Sequence, residues 1–172
     1  MITLKKGDKA PSFSGKNQNE ETITSEQLAG KKYILYFYPK DSTPGCTAEA
    51  CDLRDNYNFW MKRGYTIIGV STDSIASHRK FIEKNSLPFD LISDSDKMIV
   101  NAFGVWDKKK MAGREYYGIL RTTFIINENG IIDEVFTKVD TKKHTEQITK
   151  VLKKKKKLQI WQKHQKKSEK KS

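Results

Sequence analysis

The chain has few of the features that mark several common classes of protein. Only two cysteines occur among 172 residues, and they stand five positions apart, which is not the disulfide framework of a small secreted domain. No stretch approaches the roughly 20 apolar residues that a membrane-spanning helix needs. Residues 1–9 are polar and charged, without the apolar region of a secretory signal. We therefore expect a cytoplasmic protein with no membrane span.

The sequence also lacks a recognisable set of metal ligands. Its three histidines, His78, His144 and His164, lie far from the cysteines and from one another. No ligand spacing typical of zinc results, so a zinc site is not expected. In a reducing compartment, two neighbouring cysteines are more often chemically active than structural.

Positive charge is concentrated at one end of the chain. Between residues 142 and 172 there are thirteen lysines and only two acidic residues. The preceding 141 residues carry 20 basic and 19 acidic side chains, so this part is nearly neutral. A chain of this length forms one ordinary domain. We expect that domain at residues 1–152, followed at 153–172 by a lysine-rich extension that is partly disordered, beyond about Lys163 in particular.

Apolar runs alternate with amphipathic stretches along the neutral part. The runs that predict buried strands are 33–38, 65–70, 122–126 and, after an Asn-Glu-Asn-Gly turn that indicates a hairpin, 131–136. The predicted helices are 47–63, 75–84, 95–103 and a last one that begins at residue 145. Residues 108–118 are polar and are assigned to a loop. This order predicts an α/β fold, with a central mixed β-sheet flanked by helices on both faces.

The segment around the first cysteine gives the strongest functional signal. A predicted strand ends at Pro39, a short loop follows, and a helix is predicted to begin near Cys46. The first turn of a helix offers unpaired backbone N–H groups and the positive end of the helix dipole, and both favour a thiolate over a thiol. Because the thiolate is the nucleophile, this placement predicts that Cys46 is reactive.

The second cysteine, Cys51, has two interpretations, since a free cysteine also packs as a small hydrophobic residue. If Cys46 and Cys51 lie in one helix, five residues separate them by about 7.5 Å along the axis and about 140° around it. That is beyond the ~7 Å Cα separation that a disulfide tolerates. Any disulfide between them would therefore require the first turns of this helix to unwind.

The motif Pro39-x-x-x-Thr43-x-x-Cys46 resembles the active site of the peroxiredoxins. Its form here, Thr-Pro-Gly-Cys-Thr-x-Glu, is similar to that of the bacterioferritin comigratory protein, or peroxiredoxin Q, subfamily. The resemblance covers roughly residues 4–151 and includes the segments 7–13 and 117–126. It implies a thioredoxin-like fold and a thiol peroxidase.

The resemblance also implies a catalytic cycle. Cys46 matches the peroxidatic cysteine, which reduces the peroxide and becomes a sulfenic acid. Cys51 matches the resolving cysteine, which then forms an intramolecular disulfide that a thioredoxin-like dithiol reduces. The substrates implied are hydrogen peroxide and organic hydroperoxides, and the protein is expected to be a monomer.

Four other residues receive roles from their positions in the motif. Thr43 would hydrogen-bond the thiolate and the peroxide, and Arg121 would supply a fixed positive charge to both. Pro39 would shield the pocket from bulk water. Glu49 matches a motif glutamate for which the resemblance gives no definite role. Each residue type also has an ordinary structural use, so the combined spacing carries the assignment.

Two other functions are considered. A thiol–disulfide oxidoreductase usually has Cys-x-x-Cys, whereas this chain has Cys-x4-Cys together with Thr43 and Arg121. A basic binding protein would act through the lysine-rich extension, which could contact nucleic acid weakly. Trp161 could stack on a base or simply anchor the extension. The near-neutral domain argues against binding as the main activity.

Overall fold

Strand β3 (Lys32–Phe37) lies at the centre of the fold, because its run of aromatic and β-branched side chains is buried on both faces. It pairs in parallel with β4 (Tyr65–Ser71) and antiparallel with β8 (Thr122–Ile126). The computed structural model describes residues 2–171. Met1 and Ser172, the end residues of the predicted domain (1–152) and of the extension (153–172), lie outside the described residues.

Seven strands form one mixed sheet in the order β2-β1-β5-β4-β3-β8-β9. Its remaining members are β1 (Ser14–Asn17), β2 (Thr22–Thr24), β5 (Asp90–Ser93) and β9 (Ile132–Phe136). Strands β8 and β9 form the predicted antiparallel hairpin. Strands β1, β2 and β5 were not predicted, because three or four residues are too few to show a periodic pattern.

Five α-helices accompany the sheet. They are α1 (Pro44–Asp55), α2 (Tyr57–Lys62), α3 (Ile75–Asn85), α4 (Met98–Ala102) and α5 (His144–Lys171). The helix predicted at 47–63 is divided at Asn56, whose φ of −108° is not helical. Helix α1 also begins earlier than predicted, at Pro44, where proline is favoured because the first helical position needs no N–H donor.

Alternate residues of β3 enter two separate apolar layers, so the predicted arrangement of helices on both faces of a mixed sheet is confirmed. Tyr33, Leu35 and Phe37 pack with side chains of α4 on one face. Ile34 and Tyr36 pack on the other face, with side chains of α1, α2, α3 and α5. Cys46 belongs to this second layer.

The assignment of residues 108–118 to a loop was wrong. This segment forms most of an antiparallel hairpin, β6 (Trp106–Met111) and β7 (Arg114–Ile119), outside the main sheet. Its turn uses Ala112 and Gly113 at positive φ. Most of its side chains are at least partly exposed, so the hairpin has no apolar run that would have predicted it.

Helix α5 continues without a break to Lys171, through the segment for which partial disorder is expected. No glycine or proline follows Gly130, and lysine, glutamine and leucine are good helix formers. The first turns of α5 are fixed by burial of Ile148. No helix among residues 2–171 is long and apolar enough to cross a membrane.

Candidate active site

Cys46 is the third residue of α1, and its side chain is almost fully buried, with 1% exposed. Thr43 caps the helix in an extended conformation, and its carbonyl accepts the first helical hydrogen bond, from the N–H of Thr47 at 2.9 Å. The N–H groups of residues 45 and 46 therefore have no acceptor within the helix. Cys46 lies at the positive end of α1, as predicted.

Arg121 is the residue immediately before β8, and its side chain extends to this cysteine. Its Nη2 lies 3.3 Å from the sulfur of Cys46, and its Nη1 donates to Oε1 of Glu49 at 2.8 Å. A Cβ atom on Gly45 would lie 3.1 Å from the same Nη2. The guanidinium thus bridges thiol and carboxylate, and the absence of a side chain at residue 45 leaves room for it.

Glu49 is a fully buried carboxyl group. Burial raises its pKa from 4.5 to about 7, although Arg121 acts in the opposite direction. Its second oxygen, Oε2, has no hydrogen-bond partner among residues 2–171 and lies 3.6 Å from Nε2 of His144. Burial also lowers the pKa of His144 to about 4. The imidazole is neutral near pH 7, and this contact is not an ion pair there.

The hydrogen bonds around His144 define which of its nitrogens carries the proton. Gln147 donates to the carbonyl of Lys138 at 2.7 Å, and its Oε1 accepts from the N–H of Asp140 at 3.0 Å. This oxygen must therefore accept from Nδ1 of His144 as well, at 2.9 Å. Nε2 is left as an acceptor for the hydroxyl of Thr123, at 2.8 Å. No sequence pattern indicates a role for His144, and only the fold brings it to Glu49.

The loop that leads into α1 is fixed by Asp41, which is buried. Its Oδ1 accepts from the hydroxyl of Tyr38 at 2.6 Å. Its Oδ2 accepts from the hydroxyl of Ser77 at 2.8 Å and lies 2.7 Å from Nδ1 of His78. Its backbone N–H donates to Asp73 at 2.8 Å. These bonds tie the loop to β4 and α3 and so fix where α1 begins.

Ligand atoms of Asp41, Asp73 and His78 all lie within 4.8 Å of one another. This grouping could not be read from the spacing of the histidines in the sequence. Each of these ligand atoms already takes part in a hydrogen bond within the protein, including one from the hydroxyl of Ser71 to Asp73 at 2.7 Å. These bonds account for the cluster as a brace for the loop, and we assign no metal to it.

The predicted site residues differ in whether they contact Cys46. The side chain of Arg121 contacts both Cys46 and Glu49. Thr43 adjoins them as the residue that caps α1, but its hydroxyl donates to the carbonyl of Lys40 at 2.8 Å rather than towards the sulfur. Pro39 is half-buried just after β3.

Cys51 lies on the same helix as Cys46, and both thiols are free. Its sulfur is half-buried and faces the end of α3, 3.8 Å from Oδ1 of Asn85. Since both cysteines lie in α1, the helical separation of about 7.5 Å applies to them. The thiols cannot form a disulfide while the helix is intact.

Two further side chains near the site were not found from the sequence. Lys109, on β6, is half-buried and donates to the carbonyl of Ile119 at 2.9 Å; burial first, and then the charge of Arg121, lowers its pKa. Tyr36 is fully buried, and its hydroxyl has no partner among residues 2–171. Burial and the nearby charges of Glu49 and Cys46 raise its pKa well above 10. Lys109 is the middle residue of three consecutive lysines, 108–110, whose sequence has no apolar–polar alternation that would have predicted a strand.

The site combines a thiol in the first turn of a helix with a guanidinium at hydrogen-bond distance. Such a pair suits attack by sulfur on an atom whose leaving group gains negative charge, because the guanidinium stays protonated throughout. The neutral His144 lies behind Glu49 and does not reach the sulfur, so it is not a base for Cys46. The geometry therefore indicates redox or displacement chemistry at the sulfur.

Comparison with known proteins agrees with this chemistry. Residues 6–135 match the AhpC/TSA family. Peroxiredoxin Bcp of Bacillus subtilis is 44% identical over 152 residues, which covers 88% of this chain and 97% of the relative. Peroxiredoxin Bcp of Escherichia coli is 42% identical over 144 residues, covering 84% of this chain and 92% of the relative.

Solved structures give the same result. A structure of the Xanthomonas campestris bacterioferritin comigratory protein is similar, with a TM-score of 0.78 and 35% identity, over 84% of this chain and 91% of that one. A cysteine-to-serine variant of Xylella fastidiosa PrxQ gives a TM-score of 0.81 and 31% identity, over 88% and 96%. The thioredoxin-like fold is thus confirmed, and the chain belongs to the AhpC/TSA family as a thiol-dependent peroxidase, a peroxiredoxin of the Bcp/PrxQ group.

Proposed function

We propose that this peroxidase reduces hydrogen peroxide and organic hydroperoxides through Cys46. The thiolate attacks one peroxide oxygen, the O–O bond breaks, and the second oxygen leaves as hydroxide or alkoxide, which takes a proton to form water or an alcohol. Cys46 is oxidised to a sulfenic acid. The observation that carries this proposal is the 3.3 Å contact between Arg121 and the sulfur, because the same cation can stabilise the leaving oxygen.

The neighbouring residues take supporting roles in this proposal. Thr43 turns its hydroxyl from the carbonyl of Lys40 to the peroxide when substrate enters. Pro39 limits the access of water to the pocket. Glu49 holds the guanidinium of Arg121 in place through the 2.8 Å hydrogen bond.

Cys51 is proposed to resolve the sulfenic acid. Its thiolate attacks the sulfur of Cys46, hydroxide leaves as water after protonation, and an intramolecular disulfide forms. Helix α1 must unwind locally, and terminal turns open at the lowest free-energy cost. A thioredoxin-like dithiol then reduces the disulfide. No cofactor is required, and the enzyme is proposed to act as a cytoplasmic monomer, in a compartment that keeps both thiols reduced.

Organic hydroperoxides are included among the proposed substrates because of the activity described for a similar protein. The solved structures of the Xanthomonas campestris protein are described in terms of its alkyl peroxide reduction activity. The present chain is 35% identical to that protein and has a buried, largely apolar layer around Cys46. Such surroundings suit an alkyl substituent.

The test is single-turnover oxidation with hydrogen peroxide and with an alkyl hydroperoxide, followed by mass spectrometry. The wild type should yield a Cys46–Cys51 disulfide, and Cys51→Ser should accumulate a sulfenic acid at Cys46 at an unchanged first rate. Cys46→Ser should give neither product. Rapid exchange with disulfide substrates, without oxidation by peroxide, would instead favour the thiol–disulfide oxidoreductase.

We also propose weak contact between nucleic acid and the lysine-rich extension, residues 153–172. The supporting observation is the excess of thirteen lysines over two acids from residue 142 onward, since binding to phosphates is largely electrostatic. Binding of DNA and RNA by the full chain and by residues 1–152 should differ, and the difference should shrink as salt increases. Equally weak binding by both would exclude this contact.

A further inference from the structure

A groove of about 670 Å³ separates the base of α5 from the main domain. Its floor includes Lys32 and Tyr65, the first residues of the parallel strands β3 and β4. Cys46 follows the other end of β3, so the groove opens at the end of the sheet opposite the peroxide site. A ligand in this groove would leave Cys46 accessible.

Cations dominate the rim of this basic groove. Five lysine or arginine side chains line it against two acids, Glu128 and Asp133. Asp133 is already engaged, because its carboxylate lies 3.3 Å from Nζ of Lys155 and accepts a hydrogen bond from Asn127 at 3.0 Å. The remaining positive charge is therefore available to an external anion.

Two of these cations come from the domain and not from the extension. The Nζ atom of Lys32 lies 4.6 Å from the centroid of the Tyr65 ring, and the guanidinium of Arg63 lies 3.5 Å from that of Phe59. In the part of the chain that the structure describes, neither cation forms an ion pair. The aromatic faces hold both side chains at the rim without neutralising them.

The cations continue beyond the groove along one face of α5. Lys153 and Lys156 line the groove, and Lys163, Lys167 and Lys170 follow at helical spacings that place them on the same face. The helix has 28 residues and is therefore about 42 Å long. Groove and helix face together form a continuous row of positive charges.

We propose that nucleic acid binds along this row through its phosphate backbone, without sequence preference, and that Lys32 and Arg63 are part of its site. This inference rests on the proposed contact between nucleic acid and the extension. It adds the part of the domain that the nucleic acid contacts. A row of cations complements a chain of regularly spaced phosphates. Like charge disfavours a second copy of this chain on the same surface.

An anionic membrane fits this surface less well. Of the exposed apolar side chains of α5, Leu158 and Trp161 lie about 140° and 160° around the helix from Lys163, whereas Ile160 lies about 60° from it, within the row. A single isoleucine is not the continuous apolar stripe that an interfacial helix inserts into lipid. The row of cations therefore matches nucleic acid better than it matches a lipid surface.

The test measures binding of the full-length protein to a fluorescein-labelled 20-nucleotide single-stranded DNA of mixed sequence, by fluorescence anisotropy from 50 to 200 mM salt. The double variant Lys32→Glu/Arg63→Glu is compared with Lys80→Glu/Lys84→Glu, which makes the same charge change at exposed residues of α3 away from the groove. The groove variant should bind at least ~10-fold more weakly, with a salt slope smaller by about 2, whereas the control variant should stay near wild type.

The outcomes separate this inference from the proposals on which it rests. If the wild type binds but both double variants weaken binding equally, the groove is not part of the site, although the extension is. If the wild type does not bind DNA, or binds phosphatidylserine vesicles and not DNA, the nucleic-acid contact itself is wrong. Peroxidase activity, measured in parallel, should equal wild type in both variants and verifies their folding.

Discussion

The Nη2 atom of Arg121 lies 3.3 Å from the sulfur of Cys46, although 75 residues separate the two in the sequence. Strands β3 and β8 are antiparallel neighbours, so the end of β3, which leads to Cys46, meets the start of β8, which follows Arg121. The sheet register thus places a permanent cation beside the nucleophile.

Replacement of Arg121 should reveal how much of the catalysis depends on this cation. Arg121→Ala should lower the rate of peroxide reduction by about 10²–10³-fold, the usual effect of removing one preorganised donor. Arg121→Lys should recover only part of this rate, because one ammonium group cannot reproduce the two parallel contacts to Cys46 and Glu49. Stopped-flow measurement of the first oxidation step tests both variants. Equal rates for lysine and arginine would show that charge alone suffices.

The glycine before Cys46 should also be sensitive to substitution, although less so than the arginine. In Gly45→Ala, the new Cβ atom would lie 3.1 Å from Nη2 of Arg121, so the guanidinium must move by a few tenths of an ångström. We expect peroxide reduction to slow by about tenfold with little change in thermal stability, because a misplaced donor stabilises the transition state less well. Gly118→Ala is the control, since its Cβ atom would meet only the flexible side chains of Lys109 and Tyr116 closely. Equal losses in both variants would contradict the explanation.

Glu49 should make folding stability depend on pH. Its pKa is raised by burial from 4.5 to about 7, so the folded protein keeps a proton that the unfolded chain releases in this window. The contribution to stability is full below pH 4.5 and is lost as the pH rises through about 7, with a slope of at most about 1.4 kcal/mol per pH unit.

Urea unfolding of the reduced protein between pH 4.5 and 8 measures this dependence. In Glu49→Gln this decrease in folding stability with rising pH should be absent. The free energy of unfolding of the variant, relative to that of the wild type, should therefore increase with pH. Glu146→Gln, at an exposed carboxylate of α5, should retain the wild-type slope. Parallel curves for the wild type and Glu49→Gln would show that Glu49 is ionised throughout.

Resolution by Cys51 should be controlled by the contacts that hold α1. Oδ2 of Asp52 accepts a hydrogen bond from the N–H of Thr145 at 2.8 Å and so joins α1 to the start of α5. In Asp52→Ala this bond, worth about 1.5–3 kcal/mol for a charged acceptor, is lost. Helix α1 should then open more often, and the disulfide should form roughly tenfold faster after oxidation.

Asp55→Ala is the matched control for that experiment, since Asp55 is exposed on the same helix and, among residues 2–171, forms an ion pair only with Arg54. Rapid quenching and thiol alkylation after peroxide addition would follow disulfide formation in both variants. Unchanged kinetics in Asp52→Ala would mean that opening of α1 does not limit resolution.

The fold could be predicted where the chain carries long or continuous patterns. The apolar runs of β3, β4 and β8 are each five to seven residues long and were found, as were α3 and the β8–β9 hairpin. Strands β6 and β7 were missed because they form a separate, largely exposed pair, of which Trp106 and Ile119 pack on the main core. The extent of α5 was not predicted, because the high density of lysine suggested disorder. The helix propensity of these residues and the absence of glycine and proline favour the continuous helix.

The sequence alone indicated Cys46 as the candidate nucleophile and a helix that begins beside it, because Pro44 and the preceding loop residues are local signals that need no distant partner. The motif and its resemblance also identified Arg121 and Glu49 as relevant. Only the tertiary structure decided that these two side chains join, that His144 lies behind them, and that Asp41 is braced by His78. These contacts link residues 37 to 95 positions apart, and the pairing of strands and the packing of helices bring them together. Local propensity carries no information about such distances.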